Sequence, residues 1–330
     1  MAKGRSSSRG GLGCLLLIVL IVAGATWLTV HRNWTGPGPA NHLTTVVVPE
    51  GATLAAAARE LEKAGAVRST TGFLRFARRF GSSAPIKAGE YEVAPRMSAK
   101  DILALLQSGH TVQRMITIPE GMPSIEVFER LAGERLLTGK LPIPPEGSVL
   151  PGTYSFQRGE PRKAVLKRMQ DAMTQTLNRL WMTRKANSVV NSKLEALTLA
   201  SIVEKETGVP EERPMVAGVY SNRLRAGMRL QADPTIIYPL THGKPLGRRI
   251  KLSEVRAKND YNTYSMTGLP VGPITNPGRD AIAAVLAPAQ TDALYFVADG
   301  KGGHVFSSNL KDHNANVQRY YNLRKAAGMR

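Results

Sequence analysis

The stretch from Gly11 to Val30 is apolar almost without interruption, and it constrains the chain before any other feature is considered. At about 1.5 Å per helical residue it reaches roughly 30 Å, the thickness of a bilayer's hydrocarbon core. Lys3, Arg5 and Arg9 precede it, and only His31 and Arg32 follow closely. That bias predicts a single-pass anchor in the cytoplasmic membrane, with the amino terminus inside and the body outside. Trp27 and Trp34 stand where interfacial aromatics are expected. A cleaved signal peptide is the alternative, because Ala23-Gly24-Ala25 has the small-x-small pattern of a processing site. Thr26 to Val30 prolong the run past that site and favour the anchor; either way the body is exported.

Export bears on the rest of the composition. The sole cysteine, Cys14, lies within the apolar run, so the body has no intramolecular disulfide to hold it and must rely on packing. The 44 Lys and Arg against 25 Asp and Glu give a formal charge of +19, which attracts polyanions such as nucleic acid, anionic lipid or an acidic wall polymer. Export and the lack of any recognition motif argue against nucleic acid.

The chain divides by pattern into a cytoplasmic tail (1–10), the span (11–30), a Pro- and Gly-rich linker (31–42), small mixed modules (43–144) and a carboxyl-terminal unit (145–330). The last boundary lies near Pro145, in the Pro- and Gly-rich stretch from Pro142 to Gly152. Thr44 to Val48 is strand-like, Pro49-Glu50-Gly51 reads as a turn, and Thr53 to Ala66 has helical spacing. The same opening returns in Ile116-Thr117-Ile118-Pro119-Glu120-Gly121, with Ile125, Phe128 and Leu131 on the helix that follows. Between the copies, Ala88 to Val93 reads as a strand and Ser98 to Ser108 as a capped helix. Two copies are too few for a solenoid and suggest a duplicated binding module. The fold class expected is α+β.

Chemistry concentrates in Ser192 to Thr207. Ser192 with Glu195 fits a capping box, Gly208 suits a left-handed residue past the last turn, and Pro210 prevents continuation. At about 100° per residue, Leu199, Ile202, Val203 and Glu206 share one face, and Glu204 points nearly opposite. A carboxylate on an apolar stripe at the negative end of a helix dipole has its pKa raised by both effects. Such an acid can donate a proton to a poor leaving group. It can equally be a structural carboxylate closing an ion-pair network, and spacing alone leaves both open. Glu195 is explained by capping and Glu204 as a solvated helix charge.

The string Leu199-Ala-Ser-Ile-Val-Glu-Lys-Glu-Thr207 resembles the active-site helix of the YceG-like, or MltG, family of endolytic murein transglycosylases. Asn222-Arg223-Leu224, Met228 to Thr235, Tyr261-Asn262-Thr263-Tyr264, Gly268-Leu269-Pro270, Asn276-Pro277-Gly278, Tyr295 to Gly300, Gly303-His304-Val305-Phe306 and His313-Asn314 resemble further family blocks, in family order. One departure is Leu150-Pro151-Gly152-Thr153-Tyr154, where the family often carries an acidic residue at the position of Gly152.

The resemblance implies a membrane-anchored lyase with LysM-like modules that cleaves between N-acetylmuramic acid and N-acetylglucosamine without water, leaving 1,6-anhydromuramic ends. It places the catalytic role on Glu206 and implies action beside the peptidoglycan synthases, ending nascent strands. One acid suffices, whereas an ordinary glycoside hydrolase uses two. Gln231, Asp233, Tyr238, Tyr261, Asn262 and Tyr264 are candidates to line the sugar cleft; Asp233-Pro234 and Tyr261-Asn262 can also be simple turns. His304, Asp312 and His313 lack any metal-binding spacing, and no cofactor or metal is expected. Gly300-Lys301-Gly302-Gly303 reads as a hairpin turn rather than a phosphate loop. The rival reading of the whole is a non-catalytic wall-binding scaffold.

Overall fold

The computed structural model describes residues 8–326, and side chains from Cys14 onward. Contacts divide the chain into two compact units, one of residues 1–114 with 157–159 and one of residues 115–156 with 160–330. Sheets are small and helices carry most of the packing, an α+β architecture as the sequence pattern predicts.

The first unit opens with α1 (Ser8–Val30), whose described side chains are exposed along the apolar run. It fits a candidate bilayer span from Cys14 to Thr35 by length and composition. A π-turn (His31–Thr35) continues it directly. Then β1 (Thr44–Val48), α2 (Leu54–Lys63), α3 (Thr70–Phe80) and β2 (Gly89–Val93) follow, and β1 pairs antiparallel with β2 from Thr44 opposite Val93 to Val48 opposite Gly89. Helix α4 (Ala99–Ser108) is capped by Ser98, whose hydroxyl accepts from the Asp101 amide, and ends on Gly109 in the left-handed conformation. Val46, Val48, Leu61, Phe73, Tyr91 and Leu106 are among the side chains that fill the core.

Trp34 is not an interfacial aromatic. It is 3% exposed and sits in this core, with ring centroids 6.3 Å from Phe73 and 6.5 Å from Phe76. The Pro- and Gly-rich segment after it forms no strand, yet it is fastened: Arg68 donates to the carbonyls of Arg32 and Pro37, the Gly38 amide to Arg96, and the Arg96 amide to Ala40. Apolar burial outweighs the bilayer interface for this indole because α3 supplies two aromatic neighbours.

In the second unit, β3 (Arg114–Ile118) pairs with β4 (Gly152–Phe156), and α5 (Ser124–Gly133) follows β3. The repeated Pro-Glu-Gly turns behave alike: the Ala52 amide bonds to Pro49 and the Met122 amide to Pro119, with Gly51 at φ +71° and Gly121 at φ +70°. Only glycine takes that conformation without strain, which accounts for its position in both copies.

Long helix α6 (Arg162–Met182) covers the buried centre, formed by α7 (Lys193–Glu206), α8 (Arg213–Arg225) and, later in the chain, α11 (Arg279–Leu286). Between them lie α9 (Pro234–Thr241) and the single turn α10 (Leu252–Val255). The hairpin of β5 (Tyr295–Ala298) and β6 (His304–Ser307) turns at Gly300 to Gly303, with the Asp299 amide bonded to the Gly303 carbonyl, and α12 (Leu310–Ala326) ends the description.

Trp34→Ala should destabilise the first unit by about 3 kcal/mol, since a large buried aromatic is lost. Faster amide exchange across α3, with α7 unchanged, checks this; unchanged α3 protection would refute it.

Candidate active site

Helix α7 is buried nearly all round rather than along one stripe. The polar side chains of its buried middle are small and bonded inward: Thr198 donates to Leu194, and Ser201 donates to Thr198 while accepting from the Ile274 amide. At its start the Ser192 hydroxyl accepts from the Glu195 amide, but the Glu195 carboxylate reaches Asn191 rather than Ser192. At its end the chain leaves through extended Thr207, so Gly208 does not adopt the left-handed conformation expected of it. Thr207 Oγ1 accepts from the Val209 amide and supplies the stop instead.

The two glutamates of the last turn meet opposite fates. Glu204 is no solvated charge: its side chain is 4% exposed, pairs with Arg213 at 3.1 Å and accepts from the Gly278 amide at 2.8 Å. Burial pushes its pKa up, against the pull of that amide and of Arg213. Among the described residues Glu206 forms no salt bridge, and its Oε1 is withdrawn from solvent and has no hydrogen-bond partner.

Burial is the largest effect on Glu206, and the nearby charge of Asp233 adds to it. The Tyr220 hydroxyl, which donates to the carboxylate, and the positive charge of Arg223 oppose them, and the balance leaves the pKa at about 7. Tyr220 and Arg223 lie three residues apart on α8 and so face the same way. Arg223 is committed elsewhere: Nε donates to Leu294 and Nη1 to Leu230, both at 2.7 Å, and the guanidinium lies over the Tyr295 ring. Its charge therefore acts on Glu206 without a direct pair.

The candidate lining residues separate into three groups. Asp233, at the start of α9, is exposed and accepts a 2.6 Å bond from the Tyr264 hydroxyl, so these two join Glu206. Gln231 also lies here, exposed and held at φ +52° by its amide bond to Thr263. A left-handed non-glycine residue two positions before Asp233 is strain of the kind found at functional sites. Tyr238 and Tyr261 form a tilted pair, centroids 4.8 Å apart, one turn farther along α9.

Asn262 is a correction. It is fully buried, its Nδ2 donates to the carbonyls of Glu254, Val255 and Ala257, and its Oδ1 accepts from the Tyr264 amide. It builds the loop and has no polar group left for a ligand.

Three residues were not singled out from the sequence. Arg223 was legible only as a member of the Asn222-Arg223-Leu224 block, and Tyr220 not at all. Glu146, in the Pro-rich stretch taken as a boundary, accepts from the Ser124 amide and bonds Tyr238. Burial raises its pKa to about 7 against those bonds. As for the metal candidates, His304 Nδ1 pairs with Glu212 at 2.6 Å, His313 stacks on Tyr295, and Asp312 accepts from Asn309. No group of three or more metal-ligating side chains gathers among the described residues.

Fold and site together define a two-unit α+β protein with one apolar helix long enough to cross a bilayer and a near-neutral carboxylic acid at the end of its central helix. The chain belongs to the YceG-like family, whose model matches residues 46–319. It is similar to the endolytic murein transglycosylase of Bacillus subtilis (30% identical, covering 91% of each chain). It is also similar to that of Streptococcus pneumoniae (32% identical over 84% of this chain) and spans 58% of that relative's length. A YceG-like protein of Listeria monocytogenes, solved by crystallography, matches at 28% identity with a TM-score of 0.53, covering 84% of this chain and 99% of that one.

Titration of Glu206 should give a pKa near 7. Asp233→Asn removes a repelling charge and should lower it, whereas Tyr220→Phe removes a bond to the ionised form and should raise it. Carboxyl-carbon NMR reads both shifts; a wild-type value near 4.5 would refute the assignment.

Proposed function

We propose that this chain is an endolytic peptidoglycan lytic transglycosylase and that Glu206 is its catalytic residue. The observation that carries the reading is the carboxyl of Glu206, which has no ion-pair partner among the described residues and one oxygen shut off from solvent, an acid still half protonated near neutral pH. The relatives named endolytic murein transglycosylase support the same activity.

In this mechanism protonated Glu206 gives its proton to the bridging oxygen as the bond to the muramic C1 breaks. The 6-hydroxyl of the same sugar then attacks C1 and passes its proton to the Glu206 carboxylate, closing the 1,6-anhydro ring. No water is consumed and the acid is regenerated. An intramolecular nucleophile needs no second carboxylate to hold it. In the proposal Asp233, Tyr264 and Gln231 hold the sugar at the scissile bond, and the Tyr238–Tyr261 pair stacks on a neighbouring ring.

LysM-like glycan binding by the first unit is part of the proposal. It is supported by the order β1, α2, α3, β2 with the two strands paired antiparallel. The body faces outward from the cytoplasmic membrane, beside the synthases whose nascent strands it cuts. Charge bias around α1 supports that orientation.

Glu206→Gln should lower turnover of purified glycan strands by about 1000-fold or more. Wild-type kcat/KM should fall as pH rises through about 7, because the active form is the acid. Mass spectrometry should find anhydromuramic ends. Reducing muramic ends would mean that Asp233 recruits water as a base, and uncut glycan with wild type would favour the scaffold reading.

A further inference from the structure

A cavity of about 360 Å³ in the second unit is lined by Lys205 and Pro234, the chain neighbours of Glu206 and Asp233. Its walls are mainly aliphatic, with Pro123, Pro234, Ile237 and Ile274 among them. Two charged side chains of opposite sign share the lining, Lys205 and Glu126, and neither has an ion-pair partner among the described residues. Lys205 lies over Gly121, with Cδ 3.6 Å from the place a Cβ would occupy, so its ammonium is carried to the edge of the cavity. Lys244 also lines the cavity but is tied to Glu129 at 2.6 Å.

We propose that this cavity is a binding site for the stem peptide of peptidoglycan, with Lys205 taking a carboxylate and Glu126 an amine of the peptide. The inference rests on the function proposed above. The muramic sugar, whose C1 bond Glu206 protonates, carries the peptide on its lactyl ether, so the peptide must leave the cleft close to that residue. A stem peptide offers methyl side chains for the aliphatic walls, together with free carboxylates and an amine. Two unpaired opposite charges over apolar walls match that combination, whereas a bare sugar offers neither charge nor methyl-rich surface. The site makes the enzyme selective for strands that still bear their peptides.

The test compares initial rates of the full-length protein in detergent on uncrosslinked strands with intact stem peptides and on the same strands stripped by an amidase. Wild type should cut peptide-bearing strands about tenfold more efficiently, mainly through KM. The Lys205→Ala/Glu126→Gln double variant should bring that ratio to about one and leave the rate on stripped strands unchanged. Equal wild-type rates on the two substrates, a ratio retained by the double variant, or an equal fall on both substrates would each overturn the peptide site while leaving the glycan-cutting activity standing. Failure of wild type to cut either substrate would overturn the proposed function, and the peptide site with it.

Discussion

Desolvation of one carboxyl at the end of α7 is the constraint on which the rest of the second unit turns. A helix buried on every side from Thr198 to Val203, between α8 and α11, leaves only its last turn for two glutamates. The fold neutralises Glu204 with Arg213 and the Gly278 amide, and among the described residues it leaves Glu206 without a cation to pair with. The one arginine close enough to matter, Arg223, has its donors turned to backbone carbonyls. A direct pair would hold Glu206 ionised at neutral pH; a charge acting from one step away only moderates the effect of burial.

The sequence disclosed what local rules govern. Strands β1 and β2, the caps Ser98 and Ser192, the two Pro-Glu-Gly turns and the hairpin at Gly300 follow from periodicity and backbone chemistry, which neighbours in the chain determine. What stayed hidden depends on partners far along the chain. Glu204 points away from the apolar stripe, and its burial depends on Arg213 and Gly278, which periodicity cannot bring to it. Trp34 follows a membrane-like run and precedes Pro and Gly, and only α3 reveals why it turns inward. Glu146 was obscured by the prolines around it, although the amide of Ser124 and the hydroxyl of Tyr238 hold it in place.

The site residues were legible in proportion to how far each is used by the backbone. Glu206 lay on the apolar face, and burial raises its pKa. Asn262, equally polar and equally close in sequence to tyrosines, spends all its hydrogen-bonding capacity on a loop. Composition does not separate those two cases, because an amide that shapes a loop and one that grips a ligand use the same atoms.

The seat of Trp34 has a mechanical consequence. Because the indole is wedged among Phe73 and Phe76, and Arg68 grips the carbonyls on either side of it, the apolar helix has no slack where it meets the packed part of the first unit. That unit cannot swing like a ball on a string. A pull on it passes straight into the helix, and the two come apart only after the indole has been drawn from its socket.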